Sequence, residues 1–184
     1  VKAYKEIVSN SKKVVAFVGD IDFGKVENVL IKKFGDLPNS VDELPTLRKP
    51  ELNESKDVEI VKEDLNQAHI LKGWLVGTAD SKDYPAIALL NIILGASGLS
   101  SRLFLELRDK KGLAYVVRSA YDVARLSANF SIYIATEPKN IETSLKGFEE
   151  EIEKIKTNLV SDEELENAKN NLFGKWAFIS ETNS

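Results

Sequence analysis

The stretch NIILGASGLSSRLFLELRDKKGLAYVVRSAYD, residues 91–122, decides how this chain folds. It begins in the tail of a very apolar helix, DYPAIALLNIILG (83–95), which reads as well buried. Ala-Ser-Gly breaks that helix, and an amphipathic one follows from about Ser100, with Leu103, Phe104 and Leu107 on its inward face. Lys110 and Lys111 suit the negative end of a helix dipole, and Gly112 is the natural left-handed stop. The chain then reverses into a strand, AYVVRSAYD. Arg108 therefore falls in the last helical turn, seven residues before Tyr115 at the start of that strand.

The strand is the first arm of a hairpin. In LSANFSIYIAT, the apolar residues Leu126, Ala128, Phe130, Ile132 and Ile134 alternate with Ser127, Asn129, Ser131 and Tyr133, giving one buried face and one wetter face. Two helices follow. PKNIETSLKGFEEEIEKI carries Ile141, Leu145, Phe148, Ile152 and Ile155 at alternating spacings of four and three, a core-facing stripe. VSDEEL is a capping box, with Ser161 as cap and Glu164 reaching back. The helix beyond it is expected to pack through Leu165, Ala168, Leu172, Trp176 and Ile179.

Upstream, KKVVAFVGD (12–20) and VEIVKED (58–64) read as strands, and AHILKGWLVG (68–77), apolar on both faces, as a central strand. FGKVENVLIKKFG is a helix with Asp22 as N-cap, Val26, Val29, Leu30 and Phe34 on one face, and Gly35 at its end. Residues 36–57 hold three of the five prolines and read as a long loop. The order β-α-loop-β-β-α-α-β-β-α-α predicts an α+β domain, one mixed or antiparallel sheet with helices packed on it. Residues 1–184 read as one such domain, cut short at its C-terminus, because the last helix runs on without a Gly or Pro stop.

Composition narrows the function. A net charge of -4 argues against nucleic acid as the partner. No apolar run approaches the ~20 residues of a membrane span. Absence of cysteine excludes disulfides and thiolate metal sites and is compatible with a reducing compartment, the cytoplasm being favoured. One histidine, His69, cannot build a two-histidine zinc motif on a helix, and no Gly-x-Ser-x-Gly elbow is present. A histidine inside a strand is more often structural than catalytic. The turn GASGLSS (95–101) lacks the Gly-Lys-Ser/Thr ending of a phosphate loop and follows a helix rather than a strand. It reads as a helix-to-helix turn capped by Ser100 or Ser101, or as backbone amides facing a peptide or partner domain.

Arg108 and Tyr115 have two readings. They are a surface charge and a sheet aromatic, or two hydrogen-bond donors aimed at one target. The reversal at Gly112 can bring them together on one exposed side, with polar ends within roughly 10 Å. A phenol of pKa ~10 stays protonated at neutral pH. Such a pair suits the carbonyl oxygens of an extended peptide or the oxyanion of amide hydrolysis. From spacing alone, the structural reading is the more economical.

The 91–122 run resembles the second, non-zinc domain of the pitrilysin/insulinase-type zinc metallopeptidases, a group that includes the mitochondrial processing peptidases. The resemblance lies in the glycine-containing turn, Ser-Ser-Arg-Leu-Phe, and Leu-Arg-x-Lys-x-Gly-Leu-Ala-Tyr. VVAFVGDIDFGKVENVLIKKFGDLP and VSDEELENAKNNLFGKWAFISETNS are similar to further parts of the same domain. The resemblance implies the peptide-binding half of a zinc metalloendopeptidase. Arg108 and Tyr115 would contact substrate backbone and the developing oxyanion. More loosely, the turn through Gly95, Gly98, Ser100 and Ser101 would face substrate. Zinc and general base would come from a homologous domain on the same chain or a partner subunit, so the chain alone would be inactive and hold no cofactor. The complete protein would be oligomeric. A non-catalytic scaffold domain of the same fold, or an unrelated α+β interaction module, are the alternatives.

Overall fold

The computed structural model describes residues 2, 4, 14–36, 50–51, 55–62, 64–124 and 126–180, with residues 179 and 180 described by backbone alone. The chain divides into two units, Val1–Leu47 with Phe178–Ser184, and Arg48–Ala177. Most of the loop read at 36–57 lies outside the described residues.

In the first unit, helix α1 (Phe23–Phe34) starts where the sequence places it. Asp22 accepts the Lys25 amide at 3.1 Å, and the Gly35 amide closes the helix on the Ile31 carbonyl at 2.8 Å. Residues 14–18 form no strand, and Val14, Val15, Phe17 and Val18 are exposed. The strand read at 12–20 is thus not formed over its described part. In the second unit, residues 58–62 likewise form no ladder, and Val58, Ile60 and Val61 are exposed. Both segments have strand composition, but a strand needs a hydrogen-bonded neighbour, and the described residues supply none.

The sheet of the second unit has three antiparallel strands in the order β1-β3-β2: β1 (Ala68–Val76), β2 (Ala114–Val123) and β3 (Ala128–Thr136). The hairpin β2–β3 forms as read. Ala128, Phe130, Ile132 and Ile134 are buried and the alternates Asn129, Ser131 and Tyr133 are not, although Ala135 near the strand's end is buried as well. In this sheet β1 is an edge strand rather than a central one, with one half-buried face and one exposed face. Leu71 and Leu75 face solvent.

Helices cover one side of the sheet. They are α2 (Tyr84–Asn91), α3 (Ile141–Thr157) and the segment Phe104–Lys110, joined by the core residues Leu94, Leu103, Leu107, Leu113, Val117, Phe130, Ile132, Ile134 and Phe148. Two helical stretches read as ordinary α-helix are wound wider, as π-helix, at Ile92–Ala96 and Phe104–Lys110. Helix α4 (Asp162–Ser180) begins at the expected capping box, where the Glu164 amide donates to Ser161 Oγ at 3.2 Å and the Ser161 amide to Glu164 Oε2 at 3.1 Å. Its packing face is shorter than the sequence suggests. Ala168 is buried with Ile92 and Ile93, Leu172 is at the edge of exposure, Trp176 is 69% exposed, and the side chain of Ile179 lies outside what is described.

Candidate substrate-contact site

Gly112 sets the geometry at the end of Phe104–Lys110. Its φ of 62° is the left-handed conformation a side chain resists. The Gly112 amide donates to the Arg108 carbonyl at 3.0 Å, and the Leu113 amide to that of Leu107 at 2.9 Å. Buried Thr136 then holds the start of β2, its Oγ1 donating to the Leu113 carbonyl at 2.6 Å.

The ladder next does something the sequence pattern does not show. Ala114 pairs with Thr136, but Val116 pairs with Ala135, so Tyr115 is the extra residue of a β-bulge. Val117 and Ser119, two and four residues further on, point inward and are buried. In a regular strand Tyr115 would share their face. The bulge turns it out instead, to 78% exposure.

Arg108 lies over the exposed ring. Its Cζ is 4.7 Å from the Tyr115 ring centroid and 4.4 Å from that of Phe104. Stacking uses the faces of the guanidinium and leaves its N–H edges available. Among the described residues Arg108 makes no ion pair, and the Tyr115 hydroxyl has no hydrogen-bond partner. Two donors are thus held side by side and unspent.

The glycine turn divides. Gly98 and Ser100 are exposed, whereas Gly95 and Ser101 are buried, so those two do not form part of an open substrate-facing surface. Ser101 Oγ donates to the Gly98 carbonyl at 2.7 Å, closing the turn. Gly95 lies against β2, where a Cβ would come within 2.2 Å of the Ser119 amide nitrogen.

A catalytic zinc normally takes three protein ligands. Among the described residues no three His, Asp or Glu converge, and the single histidine shares a 2.7 Å hydrogen bond through Nδ1 with the Tyr133 hydroxyl. These residues do not fit a catalytic zinc. Nor, among them, is any helix long and apolar enough to cross a membrane.

A family model described as "Peptidase M16 inactive domain" matches residues 1–172. The chain belongs to that family. This agrees with the resemblance carried by residues 91–122 and removes the unrelated interaction module from consideration. An uncharacterized zinc protease of Mycobacterium leprae is 29% identical over 88% of this chain and 36% of its own length. The crystal structure of a peptidase M16 inactive domain from Pseudomonas fluorescens matches 60% of this chain and 27% of that one, at 32% identity and a TM-score of 0.55. That of a protease from Helicobacter pylori matches 91% of this chain and 40% of that one, at 29% identity and a TM-score of 0.75. The M16 inactive domain described here therefore spans well under half the length of the proteins it matches.

One pairing in this M16 domain is not read from the sequence, although its arginine lies in the Ser-Ser-Arg-Leu-Phe motif. Arg102, just after the turn, forks onto Glu164 at the start of α4, with Nε to Oε1 at 2.7 Å and Nη2 to Oε2 at 2.8 Å. The partners are 62 residues apart, and the capping box alone accounts for Glu164 in the sequence. The Arg102 hydrogen bonds hold the Glu164 carboxyl down at about 2, against an ordinary value of 4.5. A depressed acid stabilises the fold above its unfolded value, and that contribution is lost as pH falls through the folded one. Glu164→Gln keeps the cap acceptor but removes the charge. In urea unfolding, wild type is expected to be the more stable at pH 7. The gap should close between pH 4.5 and about 2. A gap independent of pH would mean that the pair contributes nothing through its charge.

Proposed function

We propose that this domain is the substrate-clamping half of a zinc-dependent metallopeptidase, with zinc and general base supplied by another domain or chain. The reading rests on one observation above the others: Arg108 stacks 4.7 Å from the ring of Tyr115, which a bulge turns to solvent. A residue needed only for packing would not be turned away from the core it could have joined. Kinship with proteins named zinc proteases supplies the reaction class. On this reading the Arg108 guanidinium donates to substrate backbone carbonyls in the ground state. The Tyr115 hydroxyl donates to the oxygen on which negative charge develops.

The test is peptide hydrolysis by the complete protein, with and without chelator. Arg108→Ala should raise KM about tenfold, because a ground-state contact disappears, with a smaller fall in kcat. If chelator-sensitive hydrolysis is absent, or Arg108→Ala leaves KM unchanged, the non-catalytic scaffold reading takes over.

A further inference from the structure

We propose that the open face of the sheet carries a side-chain subsite next to the Arg108–Tyr115 pair, selecting a peptide with an acidic residue whose carboxylate sits on Arg118. This deepens the clamp reading and rests on it.

The subsite follows from strand register. Gly73, Ser131 and Ala120 stand opposite one another across β1, β3 and β2. Three small residues in one cross-strand row leave a trough in the solvent face. The next row, Leu71, Tyr133 and Arg118, builds one wall, and Asn129 with Asp122 builds the other. The cavity measures about 340 Å³, room for a side chain and the backbone that carries it.

Its charge is placed with care. Tyr133 is held from one side by His69, through the 2.7 Å hydrogen bond and ring stacking at 6.0 Å. From the other side the Arg118 guanidinium lies over the ring at 5.5 Å. Among the described residues Arg118 has no carboxylate partner, whereas Arg102 is forked onto one. Asp122, four residues along the same strand, makes no ion pair with it among the described residues. A guanidinium pre-oriented by stacking, with its N–H edges open, is complementary to a carboxylate held by two bonds. Asp122 on the far wall repels an acid seated the other way round. Arg118 stands three positions beyond Tyr115 on β2, about 10 Å of extended chain, so the acid falls about three residues from the bond held at Tyr115.

The experiment uses the complete protein and quenched peptides that differ only in Glu, Gln or Lys at the third residue on either side of the cleaved bond. Glu is expected to raise kcat/KM about tenfold over Gln on one side. Arg118→Gln should erase that preference, Arg118→Lys keep part of it, and Arg118→Glu transfer it to Lys. A Glu/Gln ratio unchanged by Arg118→Gln overturns the subsite while leaving the clamp intact. If no peptide is cleaved, the clamp reading itself fails. Fluorescence anisotropy of the same labelled peptides then decides the subsite, with tighter Glu binding lost in Arg118→Gln supporting it and equal binding overturning it.

Discussion

Tyr115→Phe in the complete enzyme is expected to lower kcat about 10²-fold while leaving KM nearly unchanged, on the clamp reading. The substitution removes one oxygen and little else. Tyr115 is 78% exposed, so the fold does not depend on its hydroxyl. The ring that Arg108 stacks on remains, so the guanidinium keeps its place. What disappears is a donor that strengthens as charge builds on the reacting oxygen, and such losses appear in kcat rather than KM. The size of the effect separates the readings. A hundredfold loss corresponds to about 2.7 kcal/mol of transition-state stabilisation. An ordinary exposed hydrogen bond is worth about 1 kcal/mol, less than tenfold. Steady-state kinetics on the variant therefore decides, and full activity would end Tyr115's part in the chemistry.

Gly95→Ala is expected to destabilise the second unit by about 3 kcal/mol, at the upper end for overpacking a tight contact. Thermal unfolding should move down by about 10 °C. The reason is contact with backbone that has no room to yield. The added Cβ would meet Ser119 N at 2.2 Å and Arg118 C at 2.8 Å. Relief requires the Ile92–Ala96 turn to lift off β2. That would also pull Asn91 away from Ser119 Oγ, which lies 2.7 Å from Asn91 Oδ1 and 3.0 Å from its carbonyl oxygen. Gly98→Ala is the control. Its φ is 71°, but nothing lies within 4 Å of the added carbon, so only the backbone preference of about 1 kcal/mol is lost. If Gly95→Ala instead keeps the melting temperature and raises KM, Gly95 acts on substrate and its packing role is wrong.

These two sites show how differently the sequence speaks. What it says about Gly95 is ambiguous, because a glycine in a turn serves conformation, close approach or ligand equally well. Burial against Ser119 selects close approach. About Tyr115 the sequence is misleading at one level and informative at another. The motif Leu-Arg-x-Lys-x-Gly-Leu-Ala-Tyr marks the residue, while strand parity with Val117 and Ser119 sends it inward.

The sequence by itself determined what depends on residues near one another along the chain. The α3 stripe, with Phe148 fully buried at its centre, is a matter of helical period. The Ser161–Glu164 box, the Asp22 cap and the left-handed stop at Gly112 need only local geometry. The β3 alternation needs only one dry side. Tertiary structure decided what depends on pairing between distant segments. Valine-rich composition makes 14–18 and 58–62 capable of strand, but without a ladder partner they form none among the described residues. The same dependence makes β1 an edge, brings Arg102 to Glu164, and aligns the small residues Gly73, Ser131 and Ala120 into a trough. It also decides Tyr115. Register is a property of two strands, not one, and a single extra residue between Ala114 and Val116 reverses the side to which that phenol points.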